Sequence, residues 1–228
     1  MPGDDRPWFD DEVVARLEPM LRLLADDPAS LSSVTNPDEA RRVHLADSLS
    51  GLVVDEVAGA KRVADLGTGA GFPGVPLAAA LPEAEFILLD SVGKKVRFIE
   101  SVIAELGLRN ARAVHARSED WAKGEGAEAH DLVTARAVAP LEALAELASP
   151  LLNDGGALVA WKGDRETAEE EKLAVLEDRL AMRIDRVVTV TPFRGSRDRH
   201  LYVVKKSGRT PPGLPRRAGM VRKRPLSA

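Results

Sequence analysis

Residues 63–74, Val-Ala-Asp-Leu-Gly-Thr-Gly-Ala-Gly-Phe-Pro-Gly, constrain the fold more than any other part of this chain of 228 residues. A short apolar run ends in an acid and is followed by four glycines within eight residues. Glycine permits positive φ and lets a ligand approach the backbone where a Cβ would collide. Such a turn between a strand and a helix is typical of a doubly wound α/β sheet, which binds ligands at the carboxyl ends of its strands.

The spacing of these glycines indicates which ligand the turn would hold. Gly67, Gly69 and Gly71 read G-x-G-x-G, whereas a dinucleotide-binding turn reads G-x-G-x-x-G and carries a pyrophosphate. The preceding acid, Asp65, would repel a pyrophosphate and attract the ammonium and sulfonium groups of S-adenosylmethionine. We therefore predict that this cofactor, rather than NAD, contacts Asp65 and the turn, including Thr68. A purely structural turn is the alternative interpretation.

Two further acidic positions follow later strands. Asp90 comes after a second apolar run, 19 residues beyond Gly71, where a carboxylate commonly accepts hydrogen bonds from a ribose. Asp90 could also cap the next helix, a role that Ser91, included in the predicted site, could equally fill. After a third apolar stretch, Ser118 and Glu119 are placed to bind an adenine amino group, although this pattern is also that of an ordinary turn.

Short apolar runs alternate with helical patterns along most of the chain. Strands are predicted at residues 62–66, 85–90, 111–116, 131–135 and 157–161, and helices at 75–81, 94–106, 141–151 and 165–180. Repeated βα units predict a parallel sheet, and a hairpin of residues 183–190 and 200–205 would complete seven strands. This arrangement favours the class I S-adenosylmethionine-dependent methyltransferase fold (Rossmann-like, α/β) over a dehydrogenase.

Two amphipathic helices, one at residues 10–25 and one starting at Asn36, precede the alternating pattern. We predict that they form an N-terminal helical cap. The predicted divisions are residues 1–57 for this cap, 58–206 for the methyltransferase domain and 207–228 for a basic, proline-rich tail.

Composition excludes several classes of protein. Hydrophobic residues make up 44% of the chain and charged residues 30%, with no apolar run long enough to span a membrane. The chain has no cysteine, which excludes disulfides and thiolate metal sites, and its four histidines lack metal-ligand spacing. The acidic N-terminus does not resemble a signal peptide. We expect a cytoplasmic protein without a metal.

Charge is distributed unevenly. The net charge is −4, but residues 205–228 carry eight basic side chains and no acid, so residues 1–204 hold 24 basic and 36 acidic ones, a balance of −12. A basic tail on an acidic body often contacts a polyanion; a solvated end is the alternative. Four prolines, Pro211, Pro212, Pro215 and Pro225, predict an extended rather than helical tail.

These motifs together resemble the ribosomal RNA small subunit methyltransferase G family, also called glucose-inhibited division protein B. The resemblance covers the chain from about residue 44 to its end. The matching stretches are residues 44–48, 65–74, 89–91, 94–98, 117–120, 134–137, 161–163, 199–201, 215–219 and 223–226. One departure is the absence, at residues 25–32, of the Trp-Asn…Asn-Leu-Thr pattern usual in the family.

The resemblance implies methyl transfer from S-adenosylmethionine to guanine N7 of 16S ribosomal RNA, on the RNA or the 30S particle. Guanine N7 carries a free lone pair, so no general base is required. The resemblance also implies cofactor contacts from Gly67, Phe72, Ser118, Glu119 and Arg136. The Arg136 side chain would pair with the methionine carboxylate, with guanine O6 or with a neighbouring acid.

Basic side chains around the predicted site are candidates for RNA binding. They are Lys94, Lys95, Arg97, Lys162, Arg199, Arg216, Arg217, Arg222, Lys223 and Arg224. A solvated face is the alternative for this set. A monomer is the expected state. The alternative functions are methylation of another RNA, a protein or a small molecule, and RNA binding without catalysis.

Overall fold

A computed structural model describes residues 11–27, 31, 34, 36–193, 195–197 and 199–226, which contain a single seven-stranded sheet in the order β3-β2-β1-β4-β5-β7-β6. The first five strands in that order are parallel, and β7 is antiparallel to both β5 and β6. The strands are β1 (Arg62–Leu66), β2 (Glu85–Asp90), β3 (Ala111–His115), β4 (His130–Arg136), β5 (Leu152–Lys162), β6 (Met182–Val190) and β7 (Arg199–Lys206). The predicted α/β fold and hairpin are confirmed.

Helices cover both faces of this sheet. They are α1 (Asp11–Asp26), α2 (Pro37–Ala40), α3 (Asp47–Leu49), α4 (Asp55–Ala58), α5 (Gly74–Ala80), α6 (Gly93–Leu106), α7 (Ser118–Trp121), α8 (Leu141–Ala148), α9 (Thr167–Leu180) and α10 (Met220–Lys223). A π-helical segment, Arg41–Ala46, joins α2 to α3, and a 3₁₀ turn, Ser50–Val53, precedes α4. None of the described helices is long and apolar enough to cross a bilayer.

Most predicted elements agree with the structure to within two residues, but β5 begins five residues earlier than predicted. The Asn-Asp-Gly-Gly sequence at its start reads as a loop, yet Leu152 pairs with His130 on β4. The register between these strands shifts before Leu132, and Gly155 takes a positive φ of 78°. The strand therefore continues through an irregularity that sequence rules treat as a break.

The N-terminal helices share a core with one face of the sheet. Leu17 and Met20 of α1 are fully buried and belong to the same apolar cluster as Val63 and Phe86 of the sheet. Asn36 caps α2, since its Oδ1 accepts a hydrogen bond from the Glu39 backbone N–H at 3.0 Å. The departure from the family pattern at residues 25–32 falls partly on residues 28–30 and 32, which lie outside the described part of the chain. The division at residue 57 stays a prediction.

The opposite face of the sheet packs against α8, α9 and the C-terminal segment. Leu214 and Leu226 lie against the second apolar cluster. The segment is also fixed by Lys206, a buried lysine whose Nζ donates to Glu128 Oε1 and Thr210 Oγ1, both at 2.8 Å. Between residues 207 and 226 the tail consists of turns, bends and irregular segments together with the short helix α10, and it packs on the protein.

Candidate active site

A cavity of about 630 Å³ opens at the carboxyl ends of the parallel strands. Five separate parts of the chain line it: the turn after β1, the ends of β2 and β3, the loop after β4 with the start of α8, and the C-terminal segment. Its volume lies in the range of small-molecule sites. The carboxyl edge of an open parallel sheet is also where α/β proteins bind their ligands.

The glycine turn borders this cavity through Gly67. Gly67, Gly69 and Gly71 all take positive φ, at 61°, 63° and 99°. A Cβ on Gly67 would lie only 3.0 Å from Val138 Cγ2, in the loop after β4. Glycine is therefore required by the backbone conformation and by the close approach of the two loops. Gly67 lines the cavity, whereas Gly71 faces Val75 and Met20.

Asp65, predicted to contact the cofactor, supports the glycine turn from below, and a contact with the cofactor stays a prediction. Its carboxylate is fully buried below the turn and does not line the cavity. It accepts hydrogen bonds from Thr134 Oγ1 at 2.7 Å and from the Gly74 backbone N–H at 3.1 Å. Burial raises the pKa of Asp65 to about 6, although these hydrogen bonds oppose the shift. Asp65 thus ties the glycine turn to β4, which explains why an acid precedes the glycines.

Asp90 lies where the sequence placed it, at the carboxyl end of β2 and in the cavity wall. Its Oδ2 accepts the Gly69 backbone N–H at 3.1 Å, and its Oδ1 accepts the Val92 N–H at 2.9 Å. Lys95 Nζ lies 3.7 Å from Oδ2. Asp90 therefore both shapes the site and presents a carboxylate edge to it. Ser91 beside it is exposed and also lines the cavity, and Thr68 is buried, with its N–H bonded to Leu89 O.

Ser118 and Glu119, after β3, also line the cavity, but Glu119 has a partner that the sequence did not reveal. Its Oε1 accepts the backbone N–H of Gly219 in the C-terminal segment at 2.7 Å. Its Oε2 lies 3.3 Å from Ser118 Oγ, which donates to it. Glu119 is almost fully buried. This carboxylate therefore joins the end of β3 to a segment 100 residues further along the chain.

A second group of side chains lies beside the turn, around Phe72. The His44 ring stacks on Phe72 with centroids 4.6 Å apart, and the Arg136 guanidinium lies 5.1 Å from the same ring centre. Arg136 Nη1 donates to Asp47 Oδ2 at 2.8 Å, which is the pairing with a neighbouring acid that the sequence left open, while a contact of Arg136 with the cofactor or guanine stays a prediction. Burial, together with the charge of Arg136, lowers the pKa of His44 to about 4.

Four of the predicted RNA-binding cations are held by acids of the chain itself. Lys95 approaches Asp90, Lys162 Nζ lies 2.6 Å from Glu169, Arg199 Nε lies 3.4 Å from Asp47, and Arg216 forms a two-point pair with Glu146. These four form ion pairs within the chain, and their predicted contact with RNA stays a prediction. The other six are exposed: Lys94, Arg97, Arg217, Arg222, Lys223 and Arg224.

Several cavity residues were not predicted from the sequence. Glu142 is 9% exposed, and its Oε2 has no hydrogen-bond partner among the described residues. Ala137 takes a positive φ of 55° at the start of the loop after β4, and Gly219, Val221 and Pro225 come from the segment interpreted as an RNA-binding arm. The described residues contain no group of three or more acids or histidines arranged to hold a metal.

Fold and site together define a class I methyltransferase. The strand order, the antiparallel β7 and the glycine turn beside an acid at the end of β2 are its features. The family model for rRNA small subunit methyltransferase G matches residues 19–202, and the chain belongs to that family.

Curated relatives agree with the family model. The chain is 42% identical over 207 residues to ribosomal RNA small subunit methyltransferase G of Desulfitobacterium hafniense, covering 88% of this chain and 83% of the relative. It is 38% identical over 231 residues to the protein of the same name from Gloeobacter violaceus, covering 98% and 91%.

Solved structures show the fold at low identity. A predicted O-methyltransferase, Atu636 of Agrobacterium tumefaciens, has a TM-score of 0.54 at 23% identity, covering 73% of this chain and 81% of that one. The fibrillarin pre-rRNA processing protein of Methanococcus jannaschii also has a TM-score of 0.54, at 16% identity, covering 72% and 74%.

Proposed function

We propose that the protein transfers a methyl group from S-adenosylmethionine to guanine N7 in small-subunit ribosomal RNA. The observation that carries the proposal is the cavity of about 630 Å³ over Gly67, with the Asp90 carboxylate in its wall. The family of the chain, whose relatives are named for action on ribosomal RNA of the small subunit, supports the acceptor class.

The chemistry of the cavity wall fits a cationic adenosyl donor. Three carboxylates line it, Asp90, Glu119 and Glu142. Asp90 stands where this fold binds a ribose. Glu142 Oε1 lies 3.9 Å from Lys172 Nζ, but its buried Oε2 has no hydrogen-bond partner among the described residues and could accept from a donor such as an amine. When bound, S-adenosylmethionine supplies an electrophilic methyl group. The bare backbone at Gly67 would let it lie directly on the turn.

Positioning accounts for the chemistry at the acceptor. Guanine N7 attacks through its lone pair and no proton must leave first, so correct placement of donor and acceptor is the main contribution, about 7–11 kcal/mol in favourable cases. Phe72 and Arg136 lie next to the glycine turn on the side of the N-terminal helices. We assign them to the acceptor side. Phe72 is 6% exposed and is covered by His44 and Arg136, so it would support Arg136 there rather than stack on the purine itself.

The exposed cations supply attraction to RNA phosphates. Arg217, Arg222, Lys223 and Arg224 are exposed on the C-terminal segment, and Lys94 and Arg97 are exposed on α6, whose start borders the cavity. Such contacts lose strength as salt rises. We propose that the protein acts as a monomer in the cytoplasm.

The decisive experiment is a methyl-transfer assay with the purified protein, S-adenosylmethionine and either naked 16S RNA or 30S particles. Mapping of N7-methylguanine should show one modified position, and Asp90→Ala should abolish incorporation. Arg183→Ala, at an exposed position on the far strand β6, serves as a matched control and should retain activity. Donor binding without methylation of either RNA substrate would overturn the acceptor assignment. Methylation of a protein or small molecule instead would identify the alternative.

A further inference from the structure

Residues 216–225, which we call the C-terminal strap, run along the outer side of the cavity. Four strap residues line it: Gly219, Val221, Arg222 and Pro225. Val221 is only 5% exposed, so the strap is packed against the domain rather than projecting into solvent. The sequence predicted an RNA-binding arm for this region, and that prediction gives no reason for an apolar side chain buried at the cavity wall.

Glu119 fixes the middle of the strap to the end of β3. Its carboxylate accepts the Gly219 backbone N–H at 2.7 Å. Gly219 has a φ of 78°, a conformation that L side chains rarely adopt, so the chain turns here directly over a side chain predicted to bind the donor. The strap and the donor site therefore share one carboxylate.

Arg216 fixes the start of the strap and also closes it on itself. Its guanidinium pairs at two points with Glu146 of α8, Nη2 lying 2.7 Å from Oε2. Its Nη1 donates to Arg224 O at 2.7 Å, which joins the two ends of the strap. Glu146 is 3% exposed, so this pair is largely removed from solvent. Neither Arg216 nor Glu146 lines the cavity.

We propose that the strap forms the outer wall of the donor site and that Arg216 is a positioning residue for binding of the adenosyl donor. This inference rests on the proposed function, because it takes the cavity to be the S-adenosylmethionine site. Arg216 acts through the strap, by holding Gly219 and Val221 in place. This positioning role differs from the sequence-based prediction, in which Arg216 contacts RNA.

The test is calorimetric titration with S-adenosylmethionine and S-adenosylhomocysteine in the absence of RNA. The double variant Glu146→Gln/Arg216→Met removes the pair without leaving a buried charge alone. We expect donor affinity to fall about tenfold or more, because one wall of the cavity is released. Arg216→Lys keeps a cation opposite Glu146 but loses the two-point geometry and the bond to Arg224 O, so its donor affinity should lie between those of wild type and the double variant.

A matched control removes a similar ion pair elsewhere. Arg186 on β6 pairs at two points with Glu56, through Nη1 at 3.1 Å and Nη2 at 2.5 Å. Glu56→Gln/Arg186→Met, which also removes the pairs of Glu56 with Lys205 and of Arg186 with Asp185, should lower the unfolding temperature while donor affinity stays unchanged. Equal donor affinity in wild type and the Glu146→Gln/Arg216→Met variant would overturn the proposal that the strap forms a wall of the donor site. Failure of the wild type to bind either ligand would instead contradict the proposed function.

Limited proteolysis of the wild-type protein tests the strap without any substitution. Trypsin can cut after Arg222 and Lys223, which are exposed, but not after Arg224, because Pro225 follows it. Saturating S-adenosylhomocysteine should slow cleavage there at least several-fold, whereas cleavage after exposed Arg197, which does not line the cavity, should keep its rate. Unchanged cleavage of the strap under saturation would contradict the proposal even if the variants fail to fold.

Discussion

Asp65 should make the stability of the protein fall as pH rises, the reverse of what most carboxylates do. Burial raises the pKa of Asp65 in the folded protein to about 6, from an ordinary value of 3.8. The folded state therefore binds the proton more tightly than the unfolded state. Stability from protonated Asp65 is fully present below pH 3.8 and is lost as pH rises through about 6.

The magnitude follows from the two pKa values. At 1.36 kcal/mol for each pKa unit, the whole effect is about 3 kcal/mol, of which about 2 kcal/mol falls between pH 4 and pH 7. Total stability will not show it alone, because other groups titrate with the opposite sign. Salt bridges and hydrogen bonds overcome the effect of burial and lower the pKa of Glu56 to about 2. Only a comparison with a matched variant isolates the contribution of Asp65 to the pH dependence of stability.

The measurement is urea unfolding of wild type and Asp65→Asn across pH 4 to 7. Asparagine keeps the shape and can still accept from Thr134, and any cost of its amide next to the Gly74 N–H is the same at every pH. The difference in unfolding free energy between the two proteins should therefore change by about 2 kcal/mol across this range, in favour of the variant at pH 7. Parallel curves would refute the assignment of a buried, weakly acidic Asp65.

Two further predictions concern the group around Phe72, and a third concerns the contact of Gly51 with Trp161. Burial lowers the pKa of His44 to about 4, so its contribution to stability is present above pH 6.5 and is lost as the pH falls below that value. The C2–H NMR signal of His44 should therefore not titrate above pH 5. A midpoint near 6.5 would contradict this prediction. Asp47→Ala leaves the half-buried Arg136 without its carboxylate and should lower the free energy of unfolding in urea by about 2–3 kcal/mol. Asp47→Asn should lower it less. Equal stability of both variants and wild type would contradict the ion pair. Gly51→Ala places a Cβ 2.2 Å from Trp161 Cζ2 and should lower the free energy of unfolding by about 1–3 kcal/mol. Tryptophan fluorescence should change as well, and an unchanged spectrum would count against this packing.

The fold could be predicted because each βα unit carries its own signals. Apolar runs of strand length, turn glycines and helical periodicity recur along residues 62–180, and parallel sheets of this kind leave few topologies. Asp90 was placed correctly for the same reason: the last residue of a strand is at the carboxyl edge wherever the strand lies in the sheet. Such inferences need only local sequence.

Asp65 shows where local reasoning stops. The sequence shows an acid before the glycines, but β1 is a central strand paired with both β2 and β4, so its side chains are buried on both faces of the sheet. Only its position in the sheet distinguishes a buried carboxylate from one that faces a ligand. The acidic partner of Arg136 is a second example, because Asp47 lies 89 residues earlier in the chain and local sequence does not identify it.

The C-terminal segment illustrates a second difficulty. A cluster of basic residues reads as an exposed arm, since composition says nothing about which cations have acidic partners. Glu146 was interpreted only as part of a helix, although it is 3% exposed and its partner Arg216 is 70 residues away. The available signals in the sequence were the apolar Val221 and the glycine at position 219 among basic residues, but neither is strong in isolation.

The contact between Gly51 and Trp161 limits how this protein can be recombined with its relatives. Trp161 Nε1 donates to the Asp47 backbone O at 2.9 Å, and its ring lies where a side chain at position 51 would be. A chimera that takes its first helices from one parent and its sheet from another must match a small residue to a large one. Mismatched parents would either collide or leave a hole at this junction, so viable crossovers should fall elsewhere.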